Sequence, residues 1–233
     1  MCRRTSTSTS SPERRSRLGP VLVVALASMS WLAACASNAG LYAPTEQMLS
    51  ETAPDSFVVE VMTSEGPFYV QMTRAWSPLG VDRAYQLMKN DFYAGARFYR
   101  VVPGFVAQWG FSGDPVLDSI WREHPLEDEP SVGSNVRGTV SFARAGPETR
   151  SYTMFVNLAD NQRLDTQMSG GVAGYPPIGR IIDGVEVADG FYAAYTEDPP
   201  RQDSIEALGN DYLRRSYPQL DSIVGTQVIL EWP

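Results

Sequence analysis

The chain has 233 residues, 43% hydrophobic and 20% charged, with two cysteines and one histidine. This composition excludes an intrinsically disordered polymer, and a formal net charge of −8 argues against a nucleic-acid partner, which requires clustered Lys and Arg. Residues 1–34 carry five arginines and one glutamate, so the remaining body stands at −12, an acidity that solubility accounts for.

In chain order, Arg3, Arg4, Arg14, Arg15 and Arg17 precede an apolar run from Val21 to Ala34. The run is short for a membrane span and follows the order of a secretory signal: basic, apolar, small. It ends in "LAAC", Leu32 to Cys35, which resembles the lipobox of bacterial lipoproteins. That resemblance implies a signal peptide over 1–34 and lipid on Cys35; an ordinary signal peptide followed by a chance cysteine is the alternative. Cysteine usage favours the first. Cys2 would leave with the signal and no cysteine follows Cys35, so the body has neither a disulfide framework nor thiol chemistry. Two or three acyl chains anchor a protein far better than one. Residues 35–56, small, polar and Pro-containing after the cysteine, read as a flexible tether. Ala36 and Ser37 lack the aspartate that commonly signals inner-membrane retention. The expected location is therefore the bacterial cell envelope, lipid-anchored, with the outer membrane facing the periplasm preferred.

From Phe57 to residue 233 the pattern is that of one domain. "FVVEVMTS" and "GPFYVQMTR" are β-branched and aromatic runs separated at Glu65-Gly66, a hairpin signature. After Ser77-Pro78, apolar residues at Val81, Ala84, Tyr85, Leu87 and Met88 have helical spacing that ends near Asn90. Strand-like runs follow at 96–102, 105–109, 138–143, 152–158 and 177–182, with a short helix expected from Val185 to Tyr195. Residues 112–137, rich in Asp, Glu, Pro and Gly, read as a long loop. The last stretch reads as a helix, a Pro break and a closing strand. Regular short strands of this kind suggest a closed sheet.

Three segments in order, "DFYAGARFYRVVPGFVAQWG", "RGTVSFARAGPETRSYTMFVNLADNQRLD" and "YPPIGRIIDGVEVADGF", resemble the cyclophilins, the barrel-shaped peptidyl-prolyl isomerases. The likeness runs from about Phe57 to Tyr195. It implies a mainly β fold: a closed eight-stranded antiparallel barrel capped by two helices, here with an additional C-terminal helix. By the same resemblance Arg100 matches the catalytic arginine, Phe105 and Phe155 the aromatics lining a proline pocket, and Gln108 the glutamine that bonds substrate backbone. Val106 stands where methionine is usual. Ala143, Arg144 and Ala145 match the segment along which substrate docks, with Arg144 replacing an asparagine. Leu164 and Tyr175 complete the substrate-binding set, Tyr175 in place of a histidine. Thr153 replaces a second glutamine, Arg163 stands where tryptophan or phenylalanine is usual, and Trp109 follows Gln108 where glycine is usual, which would crowd the groove.

The chemistry matches these residue types. An X-Pro amide rotates over a barrier of roughly 18–20 kcal/mol because resonance gives its C–N bond partial double character. Rotation makes and breaks no bond, so no cofactor, metal or nucleophile is expected; a fixed donor and a pocket for the ring suffice. His124, the lone histidine, has no second His or Cys nearby to build a metal site. The acids at Asp114, Asp118, Glu127, Asp128 and Glu129 form a run that any acidic loop would supply, a weak basis for glycoside hydrolysis. Two readings therefore stand. One is a monomeric, lipid-anchored isomerase acting on proline-containing segments of exported proteins. The other is a catalytically weak module that only binds them, favoured by Thr153 and Arg163.

Overall fold

The computed structural model describes residues 39–233; the basic and apolar stretch and Cys35 lie outside the described residues. Strands β1 (Ser56–Thr63) and β2 (Gly66–Thr73) form the expected hairpin, with Thr63 opposite Gly66. Their alternation sends Phe57, Val59 and Val61 of β1 and Phe68, Val70 and Met72 of β2 into the core. Each such large apolar side chain gains roughly 1.5–3 kcal/mol from burial, before the entropy cost of ordering the strands.

Ahead of the hairpin, a 3₁₀ turn (Ala39–Tyr42) and helix α1 (Glu46–Leu49) correct the tether reading over this stretch. Leu41 is fully buried and its carbonyl accepts the Trp121 indole N–H at 3.0 Å. The Gln86 amide donates to the carbonyls of Leu49 and Glu51, and the Ala53 N–H donates to Asp82 at 2.9 Å. Small polar residues cap and turn as readily as they stay loose, which is why composition misread them.

Helix α2 (Pro78–Lys89) starts at Pro78 and is capped from a distance, Glu129 accepting the N–H groups of Leu79 and Gly80 at 2.7 and 3.1 Å. The remaining strands are β3 (Arg100–Val102), β4 (Val106–Trp109), β5 (Thr139–Phe142), β6 (Met154–Asn157), a small separate hairpin β7 (Met168–Ser169) and β8 (Val172–Ala173), β9 (Pro177–Asp183) and β10 (Ile223–Trp232). The stretch read as a loop contains helix α3 (Pro115–Arg122), with Asp114 as N-cap accepting the Val116 N–H at 2.9 Å. The Asp-Pro pair that signals a loop is also a cap followed by a first-turn proline.

Helix α4 (Val185–Asp189) stops at Gly190, short of the expected Tyr195. The next residue, Phe191, turns inward and stacks on Phe98 with ring centroids 3.9 Å apart. The late helix is present as α5 (Gln202–Ser216), bent at Gly209 (φ 58°) where a Cβ would stand 2.3 Å from the Gly113 carbonyl. Among the described residues no helix is long and apolar enough to cross a membrane.

Eight antiparallel strands form one sheet in the order β10-β1-β2-β9-β5-β6-β4-β3. The barrel expected from the resemblance is not closed, because its end strands β3 and β10 do not pair. The segments preceding them meet at one bridge, Arg97 with Ser222, and bonds such as Phe98 N–H to Asp221 O at 3.0 Å. A tight turn then intervenes, the Tyr99 N–H donating to the Arg97 carbonyl, and carries the chain into β3 away from β10.

Candidate active site

Register places the site. Arg100 lies opposite Gln108, Gln108 opposite Phe155, and Phe155 opposite Ser141, so one row crosses β3, β4, β6 and β5. Because side chains alternate, this row faces away from Ala107, Trp109, Val140, Met154 and Val156, which belong to the main core. Val106, Phe155 and Leu164 form a second, smaller apolar cluster, with Phe105, Ala143 and Tyr175 packed against it. Phe155 is therefore a residue of the outer pocket rather than of the main core.

The pocket has a volume of about 230 Å³. It is lined by Arg100, Phe105, Val106, Gln108, Ala143, Arg144, Phe155, Leu164 and Tyr175, all anticipated from the sequence, and by Gln167, which was not. Gln167 sits in a polar stretch with no periodicity to mark it. Its carbonyl accepts the Gly174 N–H at 3.0 Å and so closes the loop that brings it to the pocket. The Arg100 guanidinium donates to Gln108 Oε1 at 3.4 Å and lies 5.7 Å from the Phe105 ring centroid. Arg163 is not part of this pocket's lining but stands over the same ring at 4.6 Å.

A second cavity of about 570 Å³ adjoins the first and shares Gln108, Ala143 and Arg144 with it. Ala145 and Thr153 line this larger space. So do Arg122 from α3 and Gln202 and Glu206 from α5, with Arg122 and Glu206 paired at 3.2 Å. The sequence does not mark these three, because the Asp-Pro start of α3 reads as loop and the position of α5 depends on tertiary packing.

Polar networks hold the pocket. Asn161 Nδ2 donates to the Phe105 carbonyl at 2.7 Å and to Asn157 Oδ1 at 2.9 Å, while Asn157 Nδ2 donates to Asn135 Oδ1 at 3.1 Å. The Asn135 amide in turn donates to the Tyr175 carbonyl at 2.9 Å and to Asp165 at 2.8 Å. Burial opposes ionisation of Asp165, but hydrogen bonds from Ser134 and Asn135 outweigh it and hold the carboxyl below its usual range. The Arg144 side chain lies 5.1 Å over the Tyr175 ring, pairs with Asp128 at 3.2 Å, and donates to the carbonyls of Val172 and Gly174. Its guanidinium is thus committed to fastening the 172–175 segment. The acidic run is similarly engaged, Asp128 with Arg144 and Glu129 with the buried Arg150 at 3.0 Å.

Trp109 does not crowd the groove; it is buried in the main core against Phe98, at a ring distance of 5.5 Å. Gly110 after it (φ 152°) passes so close to β6 that a Cβ would stand 2.4 Å from Thr153 Cα.

A family model for cyclophilin-type peptidyl-prolyl cis-trans isomerases matches residues 58–210. The chain belongs to that family. Among its cyclophilin relatives, the peptidyl-prolyl cis-trans isomerase of Acinetobacter baylyi is 31% identical over 144 residues, 61% of this chain and 75% of that protein. Peptidyl-prolyl cis-trans isomerase A of Dickeya dadantii is 33% identical over 149 residues, covering 63% and 76%. The crystal structure of a Cryptosporidium parvum cyclophilin-type isomerase superposes with a TM-score of 0.54 at 15% identity, covering 76% of this chain and 99% of that one. This cyclophilin is thus an enzyme of the peptidyl-prolyl cis-trans isomerase class, with the family's eight antiparallel strands in an unclosed sheet.

Proposed function

We propose that the chain accelerates cis–trans rotation of X-Pro bonds in exported proteins, with Arg100 assisting rotation and Phe105 and Phe155 receiving the proline ring. The observation that carries this reading is a guanidinium with no ion pair among the described residues, beside the Phe105, Phe155 and Leu164 wall of a small pocket and in register with a glutamine. The prolyl ring enters against Phe105, Phe155 and Leu164. Arg100 then addresses the amide, drawing the nitrogen lone pair out of resonance as the bond twists, and Gln108 holds the neighbouring backbone. The guanidinium is always charged and its donors are fixed in a plane, so it can meet the twisted amide better than either planar form.

Rotation leaves no product to discharge and no proton to move, which fits a site lined by guanidiniums, side-chain amides and apolar and aromatic side chains. A protease-coupled or NMR exchange assay on a short X-Pro peptide tests the reading, which requires faster exchange with the wild type than without it. The binding-module alternative draws on Thr153, whose short side chain lines the larger cavity where a glutamine would reach further. It predicts peptide binding with unchanged exchange.

The location is also a proposal. "LAAC" after an apolar run supports lipid on Cys35 and attachment to the bacterial envelope. Cys35→Ser should release the protein from membranes or block its processing. Equal detergent partitioning of wild type and variant, with unchanged processing, would sink the anchor.

A further inference from the structure

The mouth of the pocket carries more positive charge than the rotation described above requires. Two guanidiniums lie within 6 Å of the Phe105 ring centroid, Arg100 at 5.7 Å and the exposed Arg163 at 4.6 Å. Among the described residues neither belongs to an ion pair. The acids nearest Arg163 in the chain are engaged elsewhere: Asp165 accepts from Ser134 and Asn135, and Asp160 accepts the Arg137 N–H at 3.0 Å. No acid lines the 230 Å³ pocket at all. The adjoining larger cavity differs, with Glu148 and Glu206 in its wall. In a chain of net charge −8, this rim brings together two guanidiniums that hold no carboxylate among the described residues.

We infer that Arg163 is a specificity-determining residue that favours substrates bearing a carboxylate side chain immediately beside the proline. The inference rests on the isomerase reading and names its substrate class. Stacking over Phe105 restricts the guanidinium, so less freedom is lost when a carboxylate binds than for a loose surface arginine. The pair that forms is exposed, and such pairs give roughly 3- to 5-fold at best. Salt weakens the preference, because the screening length is about 10 Å at 0.1 M and about 3 Å at 1 M.

The test is the ratio of kcat/KM for peptides differing only in one residue, Glu, Gln or Lys, placed before the proline in one series and after it in another. The expected result is a Glu-over-Lys preference of roughly 3- to 5-fold at low salt in at least one series, shrinking in 1 M salt. Arg163→Gln should flatten that ratio and Arg163→Glu should invert it, whatever either variant does to the rate itself. A wild-type ratio near one in both series, or a ratio unmoved by Arg163→Glu, overturns the inference while leaving the isomerase reading intact. If no peptide is accelerated, the isomerase reading fails. The same ratio, read as Kd by titration of the three peptides, then decides the inference on its own terms.

Discussion

Arg100 owes its place to pairing rather than to its own side-chain preferences, since the β3–β4 register sets it opposite Gln108 and the β4–β6 register sets Gln108 opposite Phe155. If its role is to draw the lone pair from the amide, the benefit belongs to the twisted transition state and not to ground-state binding. Arg100→Ala should lower kcat/KM for X-Pro rotation by about 10²-fold, or about 2.7 kcal/mol at 1.36 kcal/mol per decade, while peptide affinity falls less. Arg100→Lys should restore little, because an ammonium lacks the planar fork. An alanine variant with intact fold and wild-type rate would remove Arg100 from the mechanism. Phe155 permits a complementary experiment, since it packs with Val106 and Leu164 outside the main core. Phe155→Leu should weaken peptide binding with little change in Tm; a clear drop in Tm with intact affinity would mark it as structural.

Helix α3 shows how an element can be hidden by its own start signal. Asp114 and Pro115 read as loop punctuation, yet they cap and open a helix that buries Leu117, Asp118 and Trp121 and carries Arg122 to the larger cavity. Asp118 is the costly member. It is fully buried, its Oδ1 accepts the Ser112 N–H at 2.8 Å, and among the described residues its Oδ2 has no partner. Burial pushes its carboxyl up to about 6 from a usual 3.8, against the lowering effect of the Ser112 hydrogen bonds. A folded-state pKa above the unfolded one means that the folded chain holds a proton which the unfolded chain has already released. Stability from this group is therefore greatest below about pH 4 and declines as pH rises toward 6, by up to about 2–3 kcal/mol. Asp118→Asn keeps an acceptor for Ser112 and removes the charge. It should raise Tm above wild type at pH 7.5, with the gap closing at pH 4; a gap independent of pH would show that Asp118 is not the titrating group.

At the scale of the whole molecule, what the sequence made legible was whatever repeats with a fixed period or travels with a motif. The β1–β2 alternation, the α2 spacing and most of the pocket residues, carried on "FYRVVPGFVAQ", "GTVSFAR" and the 153–175 stretch, are of that kind. Features that depend on long-range packing were not legible: Gln167 and Glu206 at the cavities, the tight turn at Arg97–Tyr99 that keeps the sheet open, and the docking of residues 39–53. That last segment supports the final prediction. Its composition is that of a linker, but Leu41 is fully buried, Ala53 is nearly so, and the Tyr42 hydroxyl donates to Asp114 at 2.8 Å. Its partners, Trp121, Gln86 and Asp82, lie on α3 and α2, away from the 230 Å³ pocket. Removing it exposes the face that Leu41 covers and returns the Trp121 and Gln86 donors to water, a loss of about 3 kcal/mol. A chain starting at residue 54 should therefore melt roughly 6–12 °C below one starting at residue 38. Well below either Tm, the two should rotate an X-Pro peptide at the same kcat/KM, because the segment touches no residue of the proline pocket. Equal melting temperatures would instead mean that the stretch is only a tether, as its composition suggests, and that its contacts with α2 and α3 contribute nothing to the fold.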